Sequence, residues 1–485
     1  MAHKEFAFVM EDGAGMPQGA ARSVIRSHCM RDVNRRTDSR RAKQMRRRRD
    51  RPEEAIEQPP PTAQNSISSM RPTSTARHAR SLDVKAIAAA TACSHVFIPY
   101  APFTDMDLLP GHEEICRLPR SRELVHKYGQ IKSLMYPIDH CVGFKLVEPG
   151  VCQWFIEDVA FINALLFTSC AIQDFAQQKP LGGESCYYLQ QTLHHLGKTL
   201  FLRHEKLYGG TLYIVLTLCI MASIWSDDDA LSVHIAGLKH MIELGGGADG
   251  GYLSPKFCFK LARLDLSAYM SSGEPPRIFD KAVAYNSHYG LSLILSQRKP
   301  PGFVELLKDD RLLVVFLDFR YFAAQINQGL DSRAPLTGTV AKESFISIQS
   351  RLLQLGGQLT NPLDELLRLG LIAFSSNTLR IPGRPISSSY LARVFRNALE
   401  AADLKRSGQV ELPLWLLLVG AISVFHADDA WLRNLWKETV RHDLSWNDAR
   451  GQVLEVMWIK GLHDELGKDA FASLAGAAHR QPKPS

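Results

Sequence analysis

The sequence predicts an all-α protein: a large helical domain preceded by a disordered basic N-terminal arm. Three observations carry this expectation. Apolar residues recur at three- and four-residue spacing through most of the chain after Trp154, strand-type alternation is nearly absent, and residues 52–83 combine Pro, Ser, Thr and Arg with almost no large apolar side chains. The expected organisation is an arm and linker over 1–85, a helical domain over 86–470 and a disordered tail over 471–485.

The arm is defined by charge. Residues 22–51 hold 13 Arg and Lys against three Asp, a net +10; the whole chain is +7, so the remainder is left at −3. Ile25, Cys29 and Val33 at i, i+4, i+8 outline a short amphipathic helix, with Arg26 and Arg31 flanking the stripe. Arg35 and Arg36, then Arg40, Arg41 and Lys43, then Arg46, Arg47, Arg48 and Arg49 follow. Two clusters about ten residues apart suit an acidic nuclear-import receptor through charge-assisted hydrogen bonds. DNA phosphate contact is a second reading, and a solvated basic tail with neither role is the third. A leucine-zipper basic region does not fit, because Pro59-Pro60-Pro61 follow closely and no apolar heptads appear.

Beyond the linker, Val96–Tyr100 is β-like but isolated, and Pro99, Pro102, Pro110 and Pro119 break the next stretch into loops and short helices. Val159, Phe161, Ile162, Leu165 and Leu166 then set a helical pattern from Trp154 onward, and Tyr187–Leu202 repeats it. Thr211–Trp225 is the longest uncharged apolar stretch; at 15 residues it falls short of the roughly 20 a bilayer span needs and reads as a buried core helix. Asp227-Asp228-Asp229 cap and charge the start of a helix over Ala230–Leu244, and Gly245-Gly246-Gly247 end it. Leu231, Ile235, Leu238 and Ile242 form its apolar stripe; His234, Lys239 and His240 lie off it, a weak ligand or partner site beside the plainer reading of a core-facing helix. Further helices are expected over Val304–Asn327, Lys342–Leu355, Leu363–Leu379, Ser389–Leu404, Leu414–Phe425, Ala430–Val440 and Ala449–Leu466.

The nine cysteines are scattered with no C-x-x-C, which fits neither a disulfide framework nor a zinc site and suits a reducing compartment. No signal-peptide core begins the sequence, so neither secretion nor membrane crossing is expected. G-x-S-x-G, Walker A, Rossmann and H-E-x-x-H patterns are absent, and no catalytic residue, cofactor or metal ligand is assigned. His194-His195 and His204 read as helix surface. A remote enzyme alternative is a Mg²⁺-dependent terpene-cyclase-like bundle, with Asp227–Asp229 as one acidic half and Asn447, Gly451 and Glu455 at the spacing of the other. The first run lacks an acid one turn later and Gly451 offers no ligand oxygen.

Four features occur in an order that resembles a known family. They are Arg26-Ser27-His28-Cys29-Met30-Arg31-Asp32 with its trailing arginines, His234–Met241 running into Gly245–Gly247, Arg263 and Asp265 followed by Pro275-Pro276-Arg277-Ile278-Phe279, and Leu414–Ala421. With them the chain is similar to the fungal-specific transcription factors, whose large helical regulatory domain lies downstream of a zinc cluster. The resemblance covers roughly residues 130–460 and the arginine element. It implies nuclear localisation and transcription regulation, often of metabolic gene clusters, with the helical domain binding other regulators. Arg263 and Asp265 are expected to form an ion pair or a cap, and Pro275-Pro276 a rigid turn. The chain departs from the family at its DNA reader, which needs six cysteine thiolates in two C-x-x-C-bearing halves about 2.3 Å from zinc. DNA contact is then phosphate-directed or borrowed from a partner. A corepressor or scaffold that never touches DNA is the alternative, and apolar helices such as Leu414–Phe425 serve equally to close a core or an interface with a second copy.

Overall fold

The helical periodicity is realised. The computed structural model describes residues 119–144, 154–155, 158–202, 209–247, 253–379, 388–402 and 410–476. The basic arm, the linker, Val96–Tyr100 and the expected domain start at 86 lie outside the described residues. Among those residues run fifteen α-helices and two strands of two residues each. In chain order these are α1 (Pro119–Met135), β1 (Val142–Gly143), α2 (Val159–Ala176), α3 (Gly183–Leu202), α4 (Gly209–Ile224), α5 (Asp228–Leu244), α6 (Pro255–Ser272) and α7 (Leu291–Gln297). There follow α8 (Asp310–Asp331), β2 (Leu336–Thr337), α9 (Gly338–Gln354), α10 (Pro362–Ser376), α11 (Ser389–Ala401), α12 (Glu411–Ser423), α13 (Ala430–Thr439), α14 (Trp446–Val456) and α15 (Lys460–Leu474). The strands form one parallel bridge, Val142 opposite Leu336 and Gly143 opposite Thr337.

Helix starts follow local capping chemistry. Asp158, Asp227, Ser254, Asp309, Thr337, Asn361 and Ser445 each accept a backbone N–H from the first turn they precede. Gly246 and Gly247 carry φ of 103° and 87° past the end of α5, the left-handed geometry that glycine tolerates.

Four expected elements differ. Pro119 does not break the chain but opens α1, since a proline in the first helical turn lacks only an N–H that has no partner anyway. Pro255 opens α6 in the same way behind its Ser254 cap. Val304–Asn327 is two pieces, a 3-10 turn over Gly302–Leu306 and then α8, because the Asp364 carboxylate takes the N–H groups of Lys308 and Asp309. Ala449–Leu466 is also two helices, parted by extended residues Met457 and Ile459. The last helix runs past 470 to Leu474, which is fully buried.

Packing follows two groups bridged by α6. Helix α2 lies against α1, α3 and α4, and α4 against α5; α12 lies against α10, α14 and α15, and α8 against α9. Helix α6 touches α4 on one side and α9 and α11 on the other. A continuous apolar core joins α6 to α7–α15, with Phe259, Phe319, Phe374, Trp415 and Trp458 among its members. Helix α2 is long and apolar enough to cross a membrane, yet 78% of it is buried against its neighbours. Burial of that kind is how the core helix of a packed protein uses such composition. The stripe Leu231, Ile235, Leu238 and Ile242 is buried as its spacing requires.

Candidate functional site

The arginines assigned to import or nucleic-acid contact, Arg26, Arg31, Arg35, Arg36, Arg40, Arg41, Lys43 and Arg46–Arg49, all lie outside the described residues. On α5, Lys239 Nζ pairs with Asp280 Oδ2 at 2.5 Å, His234 is half-buried and His240 is exposed. Lys239 is thus engaged in tying α5 to the segment after α6. The acidic halves of the cyclase alternative are engaged too: Asp227 caps α5, and Glu455 pairs with Arg298 at 2.8 Å. Among the described residues no three His, Cys, Asp or Glu side chains converge on a metal position.

Arg263 and Asp265 do not pair with each other. Two residues apart on a helix, they face different directions. Asp265 is the cap of the two expected roles: its carboxylate accepts the N–H groups of Arg277 (2.9 Å), Ile278 (3.0 Å) and Phe279 (2.9 Å), the turn that follows Pro275-Pro276. Burial raises its pKa and these three donors oppose the rise.

Arg263 points to the opposite side, into the seam between α6 and α4. It is 5% exposed, and Nε, Nη1 and Nη2 have no hydrogen-bond partner among the described residues. Its guanidinium lies 4.9 Å from the centre of the Tyr136 ring and 6.0 Å from that of Phe259. Burial pulls its pKa down to about 10, and pushes that of Tyr136 up to about 12. A crevice beside it is lined by Tyr136, Ile220, Ser223, Lys260, Ser267 and Leu379. Ser223 and Ser267 meet at 2.5 Å between their hydroxyl oxygens, and the Lys260 ammonium sits 5.1 Å from the Tyr136 ring and 5.5 Å from that of Tyr213. One turn away, Lys256 pairs with Asp139 at 2.5 Å. The seam therefore concentrates hydrogen-bond donors and positive charge, the chemistry that receives an anion.

A second polar cluster escaped the sequence reading. Asp318 of α8 accepts from Arg351 of α9 (2.8 Å), from the Ser287 hydroxyl (2.7 Å) and from the His288 backbone N–H (2.8 Å). Tyr289 donates to Ser344, whose oxygen is 3.3 Å from His288 Nε2. A serine, a histidine and an aspartate thus lie close together, but Asp318 takes the backbone of His288 and not its ring, so it does not orient the imidazole as a hydrolytic triad requires. The signal for these residues was present: Asp318 and Arg320 interrupt the apolar run of α8, where a charge needs a partner.

Neither a protein-family model, nor a curated protein, nor a solved structure matches the chain.

Proposed function

We propose that the chain is a nuclear regulator of transcription, with a helical body that binds other regulators and a basic N-terminal segment that directs nuclear import. The observation that carries this reading is charge segregation: residues 22–51 are +10 while the rest of the chain is −3. Supporting it are the order of the four motifs shared with fungal-specific transcription factors and the all-helical body expected of their regulatory domain. On the same resemblance, the regulated genes would belong to a metabolic or secondary-metabolite cluster. The absence of any C-x-x-C favours DNA contact that is borrowed from a partner or directed at phosphates. The same absence keeps a second reading, a corepressor or scaffold that never touches DNA.

The test uses the full chain fused to a fluorescent protein. Replacing Arg35, Arg36 and Arg46–Arg49 by alanine is expected to abolish nuclear accumulation while leaving the far-UV circular dichroism of the purified chain unchanged. Tethered to a promoter through a heterologous DNA-binding module, the chain is expected to change reporter output. Unaltered nuclear entry of the arginine variant together with a silent reporter would overturn the proposal. Chromatin occupancy that vanishes when a partner regulator is deleted separates borrowed from direct DNA contact.

A further inference from the structure

The seam between α4 and α6 supplies donors without an acceptor. Arg263 is buried, yet among the described residues none of its three nitrogens has a hydrogen-bond partner. The rings of Tyr136 and Phe259 lie within cation–π reach but offer no lone pair to the guanidinium N–H groups. Asp139, whose charge reaches Arg263, makes its ion pair with Lys256, and Asp265, two residues on, holds the 277–279 backbone. An uncompensated charge in a low-dielectric setting is strongly unfavourable, so a buried cation normally carries a counter-charge.

The crevice sets the size of that counter-charge. Its free volume is about 10 Å³, room for the centre of one water-sized particle and not for an organic molecule. The Ser223 and Ser267 hydroxyls line the same crevice; one hydrogen is used between them and the other remains to be donated.

We propose that this seam binds one chloride-sized monovalent anion, held by the Arg263 guanidinium and a hydroxyl of the Ser223–Ser267 pair. The ion bridges α6 to α4 and so joins the α1–α5 helices to the larger core. Water also fits the space, but it brings no negative charge to the guanidinium.

The full chain is unfolded thermally at fixed ionic strength in sodium chloride and in sodium gluconate, whose anion exceeds the crevice. The wild type is expected to gain about 1–3 °C in chloride, saturably, at ten times the dissociation constant. Arg263→Met is expected to lose the difference between the two salts. An equal midpoint in both salts for the wild type, or an undiminished chloride effect in Arg263→Met, would overturn the proposal. If Arg263→Met does not fold, crystals of the wild type grown in bromide decide the matter: an anomalous peak within hydrogen-bond distance of Arg263 and the serine pair is expected. A water there instead refutes the site, and a peak without any chloride effect on melting marks an adventitious ion only.

Discussion

The Arg351 guanidinium meets the Asp318 carboxylate at 2.8 Å where neither side chain is more than 1% exposed. Arg351 spends its other donors on the carbonyls of Asn286 and Ser347, and Asp318 receives Ser287 and the His288 amide. Desolvation offsets much of the attraction in such a pair, while removing one partner strands the other. Arg351→Met is therefore expected to cost about 3–5 kcal/mol in urea unfolding, and Asp318→Asn a similar amount. The double replacement Asp318→Leu with Arg351→Met should cost less than the sum of the singles. Additive losses would show that the two groups act independently.

Asp265 holds the Arg277–Phe279 turn through three backbone amides, and Asp364 holds Lys308 and Asp309 in the same manner. With Asp318 gripping His288, three aspartates from α6, α8 and α10 pin the largely non-helical stretch between α6 and α8. Asp265→Ala leaves three amides without their acceptor, and each lost buried acceptor costs about 1–3 kcal/mol. Hydrogen exchange read by mass spectrometry is expected to accelerate at 277–279 before it does so in α6. Unchanged protection there would mean that the turn is held by its apolar contacts alone.

Asp309 gives the pH dependence. Its hydrogen bonds to the Arg311 guanidinium lower its pKa, helped by the amides of Leu312 and Arg311 and opposed by partial burial. A carboxylate whose folded pKa is depressed contributes stability above its unfolded pKa and loses it as pH falls through the folded value. The unfolded value is 3.8, so the contribution is complete at neutral pH and fades below that point. Asp309→Asn keeps a capping oxygen without the charge. Its deficit against the wild type, measured by urea unfolding, is expected to be constant from pH 7 to about 5 and to shrink as acid is added. A deficit that grows in acid would contradict the assignment.

Gly370 marks the crossing of α10 and α12. A Cβ there would lie 2.6 Å from Leu416 Cδ2 and 2.9 Å from the Trp415 ring. The Trp415 ring cannot withdraw cheaply, because its Nε1–H donates to the Met457 carbonyl at 2.6 Å. Gly370→Ala is expected to destabilise the protein by about 1–3 kcal/mol in spite of alanine's better helix propensity. At Gly451, where a Cβ meets nothing within 4 Å, the same replacement should stabilise by up to about 1 kcal/mol. A Gly370→Ala chain as stable as wild type would show that the two helices can slide apart.

Much of the helical body was legible because its signals are local. Asp227 beside its acidic neighbours and Gly245–Gly247 bounded α5, and the stripe from Leu231 to Ile242 named its buried face. The candidate site was less legible. Arg263 and Asp265 were singled out together, yet they serve opposite faces of α6, since a helix turns residues two apart away from each other. The partners of Asp318 and Asp364 lie tens of residues away in sequence, and no local pattern names them.

Taken alone, then, the amino-acid order determined that the described part of the chain after Trp154 would be mostly helical and where many of its helices begin, because spacing and caps act over a few residues. Tertiary structure decided where long helical patterns stop. Ala449–Leu466 reads as one helix but breaks at 457–459, because backbone groups there find distant partners: Trp415 donates to the Met457 carbonyl, Asn327 to that of Trp458, and Asn327 accepts the N–H of Lys460. A helix gives up its own hydrogen bonds only where the rest of the fold replaces them.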